Sequence, residues 1–109
     1  MQQSTKISPY YESVEFTLTD GQSDYNLDTQ QADFLAVFNT GSVNYPSQVK
    51  IRTDQTITVK LNSTSNDSIT IASTDSPLDI RGIEIRNIFL SNSSGSSAAV
   101  KLLFQDVEY

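Results

Sequence analysis

Polar and apolar residues alternate with a period of two along most of the chain, and apolar residues at the helical spacing i, i+3, i+4 are nowhere sustained for three turns. In VEFTLTD, Val14, Phe16 and Leu18 share one side while Glu15, Thr17 and Thr19 share the other, the pattern of a half-buried strand. ADFLAVFNTG is apolar at both parities, with Phe34, Ala36 and Phe38 alternating with Leu35 and Val37 before Gly41. It reads as a strand covered on both faces. QVKIRT and TITVKLN follow, separated by Asp54 and Gln55, with Val49, Ile51, Ile57, Val59 and Leu61 at inward positions. That spacing predicts a β-hairpin, although DQ lacks the glycine a two-residue turn prefers. NSTSND then leads to SITIA, where Ile69 and Ile71 alternate with polar residues, and a second hairpin is expected.

A turn at STDSP precedes PLDI, with Leu78 and Ile80 inward, then RGIEIRNIFLS, with Ile83, Ile85 and Phe89 on one parity, and finally SAAVKLLFQDVEY. About eight short strands at a spacing of roughly 8 to 12 residues predict an all-β fold. The architecture expected is a two-sheet antiparallel β-sandwich, jelly-roll-like, of about eight short strands. A seven-stranded immunoglobulin-like sandwich is the rival, weakened because the chain has neither Trp nor a Cys pair.

LSNSSGSSAAV, Leu90 to Val100, has the composition of a linker. Only about a dozen residues follow it, too few to fold alone. The stretch is therefore read as the loop of a last hairpin, with Ser91 to Ser97 exposed and Gly95 supplying a residue that tolerates positive φ.

Composition narrows the functional classes. A chain of 109 residues supports one core, and its apolar share of 37% suits a thin fold with wet outer faces. Seven Lys and Arg against thirteen Asp and Glu give a net charge of −6. The cations Lys6, Lys50, Arg52, Lys60, Arg81, Arg86 and Lys101 are scattered in sequence, so neither nucleic acid nor an anionic membrane is expected as a partner. The chain contains no cysteine and no histidine, which removes Ser-His-Asp and Cys-His nucleophile systems and thiolate or imidazole metal sites. MQQSTKISPYYES has no apolar signal region and no run is long enough to span a membrane as a helix. Either retention in the cytoplasm or a mature fragment fits that reading.

Several motifs invite chemistry. Asp20, Asp24, Asn26 and Asp28 share one parity in an oxygen-rich run, yet the turn glycine and closing glutamate of a calcium loop are missing. A solvated loop is the simpler reading. Asp75 and Asp79 flank Ser-Pro-Leu and could form a carboxylate pair, and Glu84 could act as a single acid, though its place between Ile83 and Ile85 suits solvent-facing alternation. Asn62, Asn66 and Asn92 each open a glycosylation triplet, a pattern that arises by chance in a Ser- and Thr-rich chain. No catalytic group, cofactor or metal site is expected. Residues 1–13 read as a flexible or partner-binding arm ahead of a single domain at 14–109. Pro9, Tyr10 and Tyr11 of that arm, with Tyr45, are the candidate partner-binding residues, because tyrosine is enriched at interface hot spots.

The second half, ITVKLNSTSNDSITI followed by PLDIRGIEIRNIFLSNSSGSSAAVKLLF, resembles small virion proteins of tailed bacteriophages. The resemblance covers Ile57 to Phe104 and leaves out the first thirty residues. It implies a non-enzymatic capsid decoration (cement) protein, assembled in the host cytoplasm, that binds the major capsid protein on the capsid surface. A homo-oligomer, with a trimer favoured, comes from the same resemblance. A neck or tail protein, or a carbohydrate-binding β-sandwich module, are the alternatives.

Overall fold

A computed structural model describes residues 6–31 and 45–108, with side chains described for 11–31, 45–74 and 76–105. The strands in chain order are β1 (Lys6–Leu18), β2 (Tyr25–Asn26), β3 (Gln48–Thr53), β4 (Ile57–Leu61), β5 (Ile69–Ile71), β6 (Leu78–Arg81), β7 (Ile88–Ser91) and β8 (Ala98–Glu108). A single helical turn, α1 (Leu27–Gln30), follows β2, and a 3-10 turn at Ser73–Asp75 precedes β6. The strands form two four-stranded sheets of order β1-β8-β3-β6 and β2-β7-β4-β5, and every pairing is antiparallel.

This order is the rolled-up hairpin of a jelly roll, in which β1 pairs with β8, β2 with β7, β3 with β6 and β4 with β5. The alternation seen in the sequence explains why it packs. Val14 and Leu18 of β1, Val49 and Ile51 of β3, and Leu102 and Phe104 of β8 turn one sheet's inner face to the core. Ile57, Val59, Ile88 and Leu90 do the same for the other. Phe16 and Tyr25 stack at 5.0 Å between centroids and join the two sheets at β1 and β2.

Several expectations change. Although β3 and β4 are three residues apart, they do not form a hairpin: β3 pairs with β6 and β8, and β4 with β5 and β7. A tight two-residue hairpin turn needs positive φ, and among the described non-glycine residues only Asp24 and Asn62 have it. Without that turn at Asp54-Gln55, the chain crosses to the other sheet. The hairpin expected at NSTSND does form, with Asn62 at φ 67 opening the turn. The last loop is also no hairpin, because β8 pairs with β1 and β3 in the sheet opposite β7. Of the connections lying wholly within described residues, only β4–β5 stays in one sheet.

RGIEIRNIFLS is not one strand either. Gly82 adopts φ 78 and strand geometry resumes only at Ile88, so Ile88 and Leu90 point inward, Phe89 is half-buried, Ile85 is buried and Ile83 is exposed. The strand expected at ADFLAVFNTG lies outside the described residues. The short β2 was not anticipated, since two residues are too few for a period to show.

Candidate functional site

The outer face of the first sheet is built by the polar positions of β1, β8, β3 and β6. Three rows cross it in register. Glu15 opposes Lys101, which opposes Arg52; Ser13 opposes Leu103, then Lys50, then Asp79; Tyr11 opposes Gln105, then Gln48, then Arg81. Lys50, Arg52, Arg81 and Lys101, four of the chain's seven cations, therefore meet on one face. With Glu15 and Asp79 as the acidic members of these rows, the face is net positive in a chain of net charge −6. The cations that looked scattered in sequence are gathered by strand order.

Two adjoining hollows lie on this sheet. One, of 620 Å³, is bordered by Glu15, Thr17, Arg52, Asp54, Ala99 and Lys101; the other, of 390 Å³, by Lys50, Arg52, Pro77, Lys101 and Leu103. Arg52 and Lys101 belong to both and form the ridge between them. The pair sits directly opposite across the β3–β8 ladder, where like charges destabilise a sheet. Glu15 offsets Lys101 from the far side at 3.8 Å. Asp54 is held by the amide of Ala99, which donates to its Oδ1 at 2.8 Å.

Asp79 accepts from Arg81 Nη2 at 2.8 Å and from Gln48 Nε2 at 2.9 Å. The Arg81 hydrogen bond, and then that of Gln48, hold its carboxyl below the usual aspartate value.

A second feature lies at the end of the sandwich where β3 begins. Tyr11 (64% exposed), Tyr45 (37%) and Ile83 (37%) are the exposed large hydrophobic residues among those described. They are linked through the backbone: Tyr11 pairs with Gln105, whose carbonyl accepts from the Ser47 amide, and the Ser47 carbonyl accepts from Gly82. Arg86 stands over the Tyr45 ring at 5.4 Å and is paired with Glu84 at 2.6 Å. Pro9 and Tyr10 lie in β1, with side chains outside the described residues. Residues 6–13 thus continue the first strand of the domain, pairing with β8 from Lys6 opposite Glu108 onward, with a register shift between Ile7 and Tyr11.

The other sequence candidates hold loops together. Asp20 Oδ1 accepts from the Gly95 amide, Asp24 pairs with Lys60 at 3.5 Å, and Asn26 caps α1 by accepting from the amides of Asp28 and Thr29. Among the described residues no three His, Cys, Asp or Glu gather as metal donors. Asp75 lies in the 3-10 turn, its side chain outside those described, and Glu84 lies in the β6–β7 loop rather than within a strand.

Asn62 uses its side chain on Glu84 O, Arg86 N and Asn87 N, and Asn66 donates to Leu61 O. Asn92 is 1% exposed, which corrects the expectation that Ser91 to Ser97 form a uniformly exposed loop. Its Nδ2 donates to the carbonyls of Leu18 and Ser96, and its Oδ1 accepts from the Ser94 amide. Gly95 does adopt positive φ, at 93.

Comparison with known protein families finds no family model that matches the sequence, and comparison with curated proteins finds no match.

Proposed function

We propose that this protein is a non-enzymatic structural component of a tailed-phage virion, docking on the capsid as a decoration protein and reinforcing it. The observation that carries this reading is the exposure of Tyr11, Tyr45 and Ile83 on backbone segments joined through Ser47 where β3 begins. Exposed tyrosines, Tyr11 on β1 and Tyr45 just before β3, offer contact area at little entropic cost, the property that makes them interface anchors. The jelly roll places β1 and β8, the strands that carry the chain's two ends, side by side, so this end is framed by a paired ribbon. The resemblance of Ile57–Phe104 to small phage virion proteins supports the same reading. In a closed symmetric oligomer, a trimer in this proposal, modest contacts sum through multivalency.

The test is co-sedimentation with capsids of the phage that encodes the protein, prepared without it. Wild type is expected to bind saturably and to scatter light as an oligomer. A Tyr11→Ala/Tyr45→Ala double variant is expected to lose about tenfold or more in affinity, since hot-spot truncations cost about 2 kcal/mol or more. A strictly monomeric protein that ignores these capsids overturns the proposal.

A further inference from the structure

The Arg52–Lys101 ridge presents a chemical problem that the fold solves only in part, since Glu15 offsets Lys101 at 3.8 Å while Arg52 still faces it across the ladder. Two cations face each other across neighbouring strands, and each borders two open hollows. Their mutual repulsion opposes folding, while an anionic group placed between them would relieve it. Carboxylates stand in the same neighbourhood: Glu15 beside Lys101, Asp54 on the rim, and Asp79 opposite Lys50.

That mixture selects the ligand class. A phosphodiester backbone or a row of acidic side chains brings acceptors without hydroxyl donors and leaves Glu15, Asp54 and Asp79 facing like charge with nothing to accept. A sugar acid meets them as acceptors for its hydroxyl groups, while its own carboxylate takes the charge-assisted hydrogen bonds of Arg52 and Lys101. Half-buried Leu103 and the Pro77 ring supply apolar surface for the carbon face of a sugar. Rows two residues apart along a strand lie about 7 Å apart, and neighbouring strands about 4.8 Å apart, so the two hollows accommodate successive units of an extended chain.

We propose that the outer face of the β1-β8-β3-β6 sheet binds an acidic oligosaccharide, with Arg52 and Lys101 taking a uronic-acid carboxylate and Glu15 and Asp54 accepting from sugar hydroxyls. This site centres on the Glu15–Lys101–Arg52 row, two rows from Tyr11 on the same sheet, and its test is separable from that of the tyrosines proposed for capsid docking.

The experiment is an amide-resolved NMR titration of the full chain with trigalacturonic acid at physiological salt, beside maltotriose, inorganic phosphate and a glutamate-rich peptide. Saturable shifts at Arg52, Ala99 and Lys101 with trigalacturonate, and none with maltotriose, are expected. An Arg52→Thr/Lys101→Thr variant should bind about tenfold or more weakly, because it loses both charge-assisted contacts. It should melt close to wild type without ligand, because the like-charge pair and the exposed Glu15–Lys101 pair are lost together. Glu15→Gln should weaken trigalacturonate while leaving any phosphate binding unchanged or stronger. Tyr11→Ala/Tyr45→Ala should bind the sugar like wild type. Absence of saturable shifts overturns the proposal; equal binding of phosphate reduces the face to bare charge attraction and overturns it too. Tighter binding of the acidic peptide replaces the sugar with a protein partner.

Discussion

Replacing Asn92 by alanine tests whether the serine-rich loop is held by one side chain. All three conventional side-chain bonds of Asn92 run to backbone: to Leu18 O at 2.8 Å, to Ser96 O at 2.8 Å and from Ser94 N at 3.0 Å. The first is buried and links the β7–β8 loop to the end of β1; the other two are part-buried and shape the loop itself. Truncation removes three hydrogen bonds worth about 1 kcal/mol each and leaves the Leu18 carbonyl without this donor where water reaches it poorly. Water can repair part of the loss at Ser94 and Ser96, so about 2–4 kcal/mol is expected in all. For a domain of this size that lowers the melting temperature by about 8 °C or more.

The assay is urea unfolding with Ser93→Ala, an exposed neighbour in the same loop, as control. Asn92→Ala should shift the midpoint with an unchanged m-value, and Ser93→Ala should leave it within about 0.5 kcal/mol of wild type. Asn92→Asp, nearly isosteric, should be at least as damaging at neutral pH, because it sets a buried carboxylate against two carbonyl oxygens. A loss below about 1 kcal/mol for Asn92→Ala, or a stable Asn92→Asp, would refute the reasoning.

Two further outcomes follow from the same geometry. Leu102, fully buried between Val14 on β1 and Ile51 on β3, should cost about 2–5 kcal/mol when cut to alanine, read by urea unfolding; a smaller loss would mean that the centre of the first sheet collapses to fill the space. The folded-state pKa of Asp79 lies below its ordinary value of 3.8, so its contribution is present above that value and is lost as pH falls through the folded pKa. Asp79→Asn should therefore flatten part of the acid limb of stability at a neutral-pH cost under about 1 kcal/mol, as befits a partly exposed pair; a variant that tracks wild type throughout acid melting would show that the Arg81 and Gln48 contacts carry no linkage.

Which side of a strand faces the core was legible from the sequence for β1, β3, β4, β5 and β8, but not in RGIEIRNIFLS, where Gly82 breaks the strand and Ile88 and Leu90 turn inward in place of Ile83 and Phe89. Val49, Ile51, Ile57, Val59, Leu61, Ile71, Val100, Leu102 and Phe104 stand where alternation puts them, because a pleated strand sends successive side chains to opposite faces whatever it pairs with. The β4–β5 hairpin was legible for a local reason too, with a polar connector between two alternating runs. Sheet membership was not. A three-residue connection after Thr53 can close a hairpin or cross the sandwich with the same residues inward, and the choice rests on backbone dihedrals at Asp54 and Gln55 and on which partner each strand finds.

The same division governs the surface. Lys50 and Arg52 share a face because they are two residues apart, which any reader of QVKIRT can see. That Lys101 stands opposite Arg52, and Glu15 beyond it, depends on β8 entering between β1 and β3. In LSNSSGSSAAV, composition alone identified a turn and the glycine that permits it. The burial of Asn92 and its bond to Leu18 came only with tertiary structure, because a side chain's partner 74 residues away leaves no trace in local pattern. Local sequence determined which residues face inward along the unbroken strands and where several turns lie; strand order, decided by long-range pairing, determined which surface residues became neighbours.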